Sequence, residues 1–188
     1  MARTRRSPAS LPVALELLAT DHRKVEALFQ RYDDEKEAAD GSRRDLARRI
    51  CNELTAHTRL EEEIFYPWLR DNIGPDAMDL VEEALVEHAS AKDLVAQLEG
   101  ETTVDDACDA KVTVLGEYIR HHVREEEDEI FPAVAGDRDA LDELGQEMHA
   151  RKAELMEELG LPAPGEDDMA MARTSRGPAS QHAERRSQ

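Results

Sequence analysis

Apolar residues recur along this chain at steps of three and four, which is the spacing of one face of an α-helix. The pattern predicts four long amphipathic helices and a fifth segment with the same spacing. The four stripes that we expect to face the interior are Leu11, Leu15, Leu18, His22, Val25, Phe29, Tyr32; Leu46, Ile50, Leu54, His57, Glu61, Ile64, Trp68; Val81, Ala84, His88, Ala91, Val95, Leu98; and Val112, Leu115, Ile119, His122, Glu126, Ile130.

The connections between these segments are short, so consecutive helices should pack against one another in opposite directions. We therefore predict an all-α fold, an up-down-up-down four-helix bundle with an additional C-terminal helix. That last helix should run from about Asp139 to Glu158, because Gly160 and Pro162 follow it. The predicted domain covers residues 11–158, with a flexible basic arm at 1–10 and a disordered tail at 159–188.

The amino-acid composition argues against some classes of binding partner. The formal net charge is −19, which disfavours nucleic acid because phosphate would be repelled. No stretch approaches the roughly 20 apolar residues of a membrane helix, and no complete signal peptide is present, so we expect a cytoplasmic protein. Cys51 and Cys108 form no C-x-x-C pair and are expected to be free thiols.

Histidines and glutamates occupy positions in the stripes where apolar residues belong. A charged carboxylate is rare in a core unless it is paired or bound to a metal, because its desolvation costs several kcal/mol or more. Glu61 and Glu126 each follow a stripe histidine by four residues, one helical turn away on the same face. One inward histidine is usually an ordinary core residue. Four in register, together with two glutamates, indicate a site.

The two halves of the bundle repeat this arrangement. His88 follows His22 by 66 residues, His122 follows His57 by 65, and Glu126 follows Glu61 by 65. Two equivalent hairpins would then face each other around a shared centre. Imidazole and carboxylate without cysteine suit iron, manganese or zinc, and two clusters suggest a dinuclear site with open positions for water, O2, peroxide or nitric oxide.

The segments around these residues resemble the hemerythrin-like (HHE cation-binding) domain, as found in bacteria, over about residues 11–158. The resemblance rests on the segments Asp21-His22, His57 to Pro67, Glu87-His88, His122 to Glu126 and Phe131-Pro132. It implies two non-haem iron ions bridged by oxide or hydroxide, with bridging glutamates and a small ligand at an open position. The ligands implied are His22, His57, Glu61, His88, His122 and Glu126.

The chain departs from the oxygen-carrying members of this family. They use a fifth histidine four residues from another on the third helix, where this chain has Ala84 and Lys92. The resemblance therefore favours binding or reduction of O2, peroxide or nitric oxide over oxygen transport. Tyr118 is either a replacement ligand or a buried tyrosine with a hydrogen-bond partner. Asp21 is either a hydrogen-bond partner of a ligand histidine or a surface residue, and His121 and His149 are expected near the surface.

Four other functions compete with this one. A regulatory binding module that responds to iron or oxygen without turnover remains open, with no protein partner indicated. A ferritin-type oxidase requires E-x-x-H pairs, and a zinc protease requires H-E-x-x-H; the sequence contains neither. A metal-free helical interaction protein would leave the glutamates in the core stripes unexplained.

Overall fold

The computed structural model describes residues 10–35, 40–101 and 103–162. This part of the chain is helical and contains no strand, which confirms the predicted all-α fold. Most of the predicted arm and tail lies outside the described residues. The helices are α1 (Val13–Asp34), α2 (Asp40–Leu60), α3 (Tyr66–Asn72), α4 (Pro75–Glu99), α5 (Asp106–Glu125), α6 (Phe131–Val134) and α7 (Arg138–Glu158). None of these helices is long and apolar enough to cross a membrane.

Two of the long helices contain a π-helical turn. One turn, Glu61–Phe65, joins α2 to α3, and the other, Glu126–Ile130, joins α5 to α6. Each turn begins at one of the two stripe glutamates. A π-helical turn holds more residues than an α-helical turn and often marks a functional site. The repeat between the two halves therefore extends from the sequence to an uncommon backbone feature.

Successive helices pack in opposite directions, as a four-helix bundle with short connections requires. The contacts between neighbouring helices run in opposite sequence order: His22–His57 and Lys24–Glu53, then Glu62–His88 and Arg70–Glu82, then His88–His122 and Glu101–Lys111. The first and last helices of the bundle close it in the same way. Tyr32 contacts Asp109, and His22 contacts Glu127.

The fifth long helix, α7, lies beside α1 and runs in the same direction. Gly145 packs so closely on the start of α1 that a Cβ atom there would lie 2.5 Å from Val13 Cγ1. Asp142 accepts a hydrogen bond of 2.8 Å from the Val13 backbone N–H, which supplies the cap that this helix start otherwise lacks. Further along, Lys152 donates to Asp21.

The core consists of two apolar clusters separated by a polar layer. One cluster contains Leu15, Leu18, Phe65, Leu69 and Leu141, and the other contains Val25, Phe29, Ile50, Leu54 and Leu115. The stripe histidines and glutamates belong to neither cluster and lie between them along the helices. The stripes predicted for α4 and α5 are buried throughout, as are most of those in α1 and α2.

The predicted stripes were wrong at three positions. Leu11 precedes α1 and is 39% exposed. Ile64 and Trp68 are only partly buried, because the π-helical turn advances the register of the residues after Glu61. The buried positions there are instead Phe65, Tyr66 and Leu69.

Candidate metal centre

The structure brings the six predicted site residues together in the polar layer between the two apolar clusters. All six are buried, and both glutamates are 0% exposed. Their ligand atoms form two overlapping groups, each with atoms within 4.8 Å of one another, and Glu61 belongs to both. The groups are His22, His57, Glu61 and Glu126, and Glu61, His88 and His122. Two cations could therefore be held side by side.

Glu61 lies between the two groups and presents one oxygen to each. Its Oε1 is 3.2 Å from His57 Nε2, and its Oε2 is 3.3 Å from His88 Nε2. Atoms that bind one ion at about 2.1 Å lie roughly 3.0–3.4 Å apart in octahedral or tetrahedral geometry. The arrangement therefore suits a carboxylate that bridges two ions.

Glu126 reaches the centre from the opposite half of the bundle. Its Oε2 is 3.3 Å from His22 Nε2 and 3.7 Å from His122 Nε2. Its Oε1 accepts a hydrogen bond of 2.9 Å from the Tyr66 hydroxyl, which also lies 3.4 Å from His88 Nε2. Tyr66 is thus a buried polar residue of the site that the sequence analysis missed.

Several buried polar atoms of this centre have no hydrogen-bond partner. They are His22 Nε2, both ring nitrogens of His57, both carboxylate oxygens of Glu61 and Oε2 of Glu126. Leaving such an atom unpaired costs roughly 1–3 kcal/mol. Nitrogen and carboxylate donors that converge without partners are what a bound cation would satisfy. The residues present therefore fit the metal ions that the sequence implied.

In the metal-free centre, the surroundings raise the pKa of some site residues and lower the pKa of others. Burial lowers the pKa of His22, but the neighbouring carboxylates of Glu126 and Glu127 outweigh it and raise the pKa to about 10. Burial lowers the pKa of His57 to about 4. Burial and the nearby Glu126 charge raise the pKa of Glu61, whereas the Glu126 pKa is lowered by His122 and His22 in spite of burial. Without bound ions, the protonated His22 therefore balances part of the negative charge of the carboxylates.

Carboxylates also surround the four histidines on the side away from the centre. We call them the outer carboxylates. Their distances to the histidine Nδ1 atoms are 2.8 Å for Glu127–His22, 3.8 Å for Asp21–His57, 3.0 Å for Glu62–His88 and 3.0 Å for Glu87–His122. The three short contacts hold the Nδ1–H and leave Nε2 free to face the centre. This arrangement orients a metal-binding imidazole and raises its basicity.

The family model of the hemerythrin HHE cation-binding domain matches residues 13–134. The chain belongs to this family. A DNA nickase from Nostoc sp. (strain PCC 7120) is 27% identical over 156 residues, which is 80% of this chain and 42% of that protein. The chain thus spans less than half the length of that relative. No solved structure matches the chain.

The outer carboxylates of this HHE domain follow the same internal repeat as its inner residues. Asp21 and Glu87 each directly precede the first histidine of a half and approach the second histidine of that half. Glu62 and Glu127 each directly follow a central glutamate and contact the first histidine of the other half. The sequence analysis named neither Glu62 nor Glu127; their 65-residue spacing matches the repeat but does not by itself show that each contacts a histidine.

Tyr66 also has an equivalent in the repeat, and the difference between the two breaks the symmetry of the HHE centre. Phe131, 65 residues later, stacks on His22 with ring centroids 6.0 Å apart, while Tyr66 packs on His88 at 5.4 Å. The two positions precede Pro132 and Pro67 in matching segments. The repeat therefore has a hydroxyl at Tyr66, which contacts Glu126 and His88, and none at the equivalent Phe131 beside His22.

Both interpretations of Tyr118 were wrong. Its side chain is 47% exposed, because Ile119 occupies the inward position on that turn of α5. His149 is exposed, and His121 lies at the surface near Glu87 and Glu125. Asp21 is buried near His57 and pairs with Lys152 from α7, which favours its interpretation as a partner of a site histidine.

Proposed function

We propose that this chain binds two non-haem iron ions, bridged by oxide or hydroxide, and binds or reduces a small oxidant at an open coordination position. The observation that carries the proposal is the convergence of unpaired, buried nitrogen and carboxylate donors in two groups that share Glu61. Imidazole and carboxylate without thiolate suit iron. Family membership supports cation binding.

The two ions would have different surroundings. His22, His57 and Glu126 would hold the first together with Glu61, and the second would have His88 and His122 with Glu61. The second position has fewer donors, so a small ligand such as O2, peroxide or nitric oxide would bind there. Tyr66 lies beside this position, and its hydroxyl would turn from Glu126 Oε1 to donate a hydrogen bond to that ligand.

The chain's own residues would control access to the centre and its protons. The two apolar clusters keep bulk water away from it. A groove of about 650 Å³ between α1 and α5 is lined by His22 and Glu127, with Ile119 and Val123 on its apolar wall, so a small molecule in it approaches the centre from the side of the first position. Iron would supply one electron per ion, so that reduction of one peroxide to two waters uses both ions and two protons.

Metal analysis with an optical spectrum tests the iron centre. Protein expressed with ample iron should contain about two irons per chain and show a near-ultraviolet band of a bridged ferric pair after exposure to oxygen. His57→Ala should lose iron, while His149→Ala, which removes an exposed histidine of α7, should retain it. Less than half an equivalent of metal in the unaltered protein would refute the proposal.

The alternative is a regulatory module in which iron or oxygen changes the stability of the bundle without turnover. Peroxide consumption by the iron-loaded protein, measured with a reductant present, separates the two. A catalyst should exceed free iron, lose activity in His57→Ala, and slow in Tyr66→Phe while it keeps its iron. A rate equal to that of free iron and unchanged by His57→Ala would favour the regulatory module.

We do not extend the nicking of DNA from the Nostoc protein to this chain. The net charge of −19 opposes binding to phosphate, so no nucleic-acid partner is proposed. Cys51 and Cys108 are free and buried, which supports a cytoplasmic location. Nicking of supercoiled plasmid by the iron-loaded protein, absent in His57→Ala, would contradict the exclusion of DNA.

A further inference from the structure

The four outer carboxylates differ in how their charge is balanced. Lys152 pairs with Asp21, and Lys92 lies 2.6 Å from Glu62. The pKa of Glu127 is lowered mainly by its hydrogen bond to His22, and the charge of Arg23 lowers it further. Glu87 differs from them: among the described residues it contacts His121 and His122 and no lysine or arginine. Glu87 and its equivalent in the repeat, Asp21, differ because α7 lies beside α1 and brings Lys152 to Asp21.

A second carboxylate, that of Glu125, lies close to Glu87 and His121. Glu125 follows His121 by four residues on α5, and its Oε1 is 3.2 Å from His121 Nε2. Glu87, on α4, places its Oε1 at 3.4 Å from the same nitrogen. These ligand atoms lie within 4.8 Å of one another. Atoms that share one ion at about 2.1 Å are roughly 3.0–3.4 Å apart, so the spacing of both pairs suits a common cation.

We infer that His121, Glu87 and Glu125 form a third site, which binds one divalent transition-metal ion at the surface. One imidazole and two carboxylates favour Zn²⁺, Fe²⁺ or Co²⁺ over Ca²⁺ and Mg²⁺, which take oxygen ligands. The His121 side chain is 54% exposed and those of Glu87 and Glu125 are 20% and 29% exposed. Water therefore completes the coordination, and an ion can enter directly from solvent.

The third site is connected to the buried centre through one side chain. Glu87 Oε1 faces His121, and its Oε2 lies 3.0 Å from His122 Nδ1. An ion bound at Oε1 draws electron density from this carboxylate and makes Oε2 a weaker acceptor. The imidazole of His122 then becomes a weaker donor to whatever ion it binds. Occupation of the surface site thus changes the properties of the buried one.

Zinc titration of the iron-loaded protein tests the site, because Zn²⁺ is colourless and any optical change must come from the buried iron. Calorimetry should show one zinc per chain beyond the iron, and the iron content measured afterwards should be unchanged. His121→Ala should weaken this binding at least about tenfold, and Glu125→Gln should weaken it as well. His149→Ala, which removes another exposed histidine, should bind as the unaltered protein does.

A second measurement tests whether an ion at the surface site changes the buried centre. Zinc should shift the near-ultraviolet bands of the iron in the unaltered protein and in His149→Ala, but not in His121→Ala. Absence of the extra zinc, or its equal loss in His149→Ala, would overturn the site, and binding without a spectral shift would overturn the connection. The site does not depend on the proposed function. If the centre holds no iron, total zinc should still fall by one ion per chain in His121→Ala.

Discussion

Replacing Glu61 by leucine should stabilise the metal-free protein and at the same time abolish metal binding. The carboxylate is 0% exposed, and neither oxygen has a hydrogen-bond partner. It also faces the negative charge of Glu126, which helps to raise its pKa. A residue selected for stability would not be a glutamate at this position, so the two effects of the substitution should have opposite signs.

The magnitude follows from what the substitution removes and adds. An unpaired buried polar group costs roughly 1–3 kcal/mol, and replacing buried charges by apolar groups of similar volume often gains about 1–4 kcal/mol. Leucine is close in size and would extend the neighbouring apolar cluster. We therefore expect a gain of about 2 kcal/mol, which corresponds to a rise in Tm of roughly 4–8 °C for a protein of this size.

Urea unfolding of chelator-treated protein measures this difference, and Glu53→Leu provides the matched control. Glu53 is a second buried glutamate, on α2, but Lys24 lies 2.6 Å from it. Breaking that pair should cost about 2 kcal/mol, since the lysine is partly exposed. The reasoning is refuted if the two substitutions destabilise the metal-free protein equally. With iron bound, the unaltered protein should instead be more stable than Glu61→Leu.

Three further predictions concern protons and packing. Metal must displace the proton of His22, whose pKa is raised to about 10, so affinity should fall as pH falls from 9 to 6, and calorimetry in buffers of different ionisation enthalpy should detect proton release. Lys152→Met should leave Asp21 buried without its partner and lower the free energy of unfolding by about 3 kcal/mol; denaturant unfolding with and without Asp21→Asn checks this. Gly145→Ala should cost about 1–3 kcal/mol in thermal unfolding, because its Cβ would collide with Val13.

A specific result would contradict each of these three predictions. Affinity that does not change between pH 6 and 9 would mean that His22 is already neutral. In the metal-free protein, protonated His22 contributes to the free energy of unfolding. This contribution is complete below about pH 6.5 and is lost as the pH rises through about 10, the raised pKa of His22. Equal stability of Lys152→Met with and without Asp21→Asn would contradict the buried pair. An unaltered Tm in Gly145→Ala would show that α1 and α7 can separate at little cost.

The bundle and the convergence of its six candidate ligands could be predicted because both depend on helical periodicity. A period of 3.6 residues places His57 and Glu61 on one face regardless of what surrounds them. The 65-residue repeat then indicated that the two faces meet. The periodicity failed at Ile64 and Trp68, where the π-helical turn changes the number of residues per turn. No local sequence rule signals that turn.

The rest of the site could not be predicted because it depends on contacts between helices. Glu62 and Glu87 look like ordinary surface acids in the sequence, and only the packing of α4 brings them to His88 and His122. The role of Lys152 depends on α7 lying beside α1. Tyr66 differs from an apolar core residue by one hydroxyl, whose contact with the centre is set by the register after the π-helical turn.

Neither half of the bundle contains a complete set of ligands for either ion. The first position takes Glu126 from the second half, and the second position takes Glu61 from the first. Bound ions would therefore cross-link the two hairpins, and at a hundredfold excess over Kd each would add about 2.7 kcal/mol to the free energy of unfolding. The lifetime of the chain in the presence of a protease should then follow the supply of metal. Chelation would shorten it, and this protein's abundance would report how much metal is available.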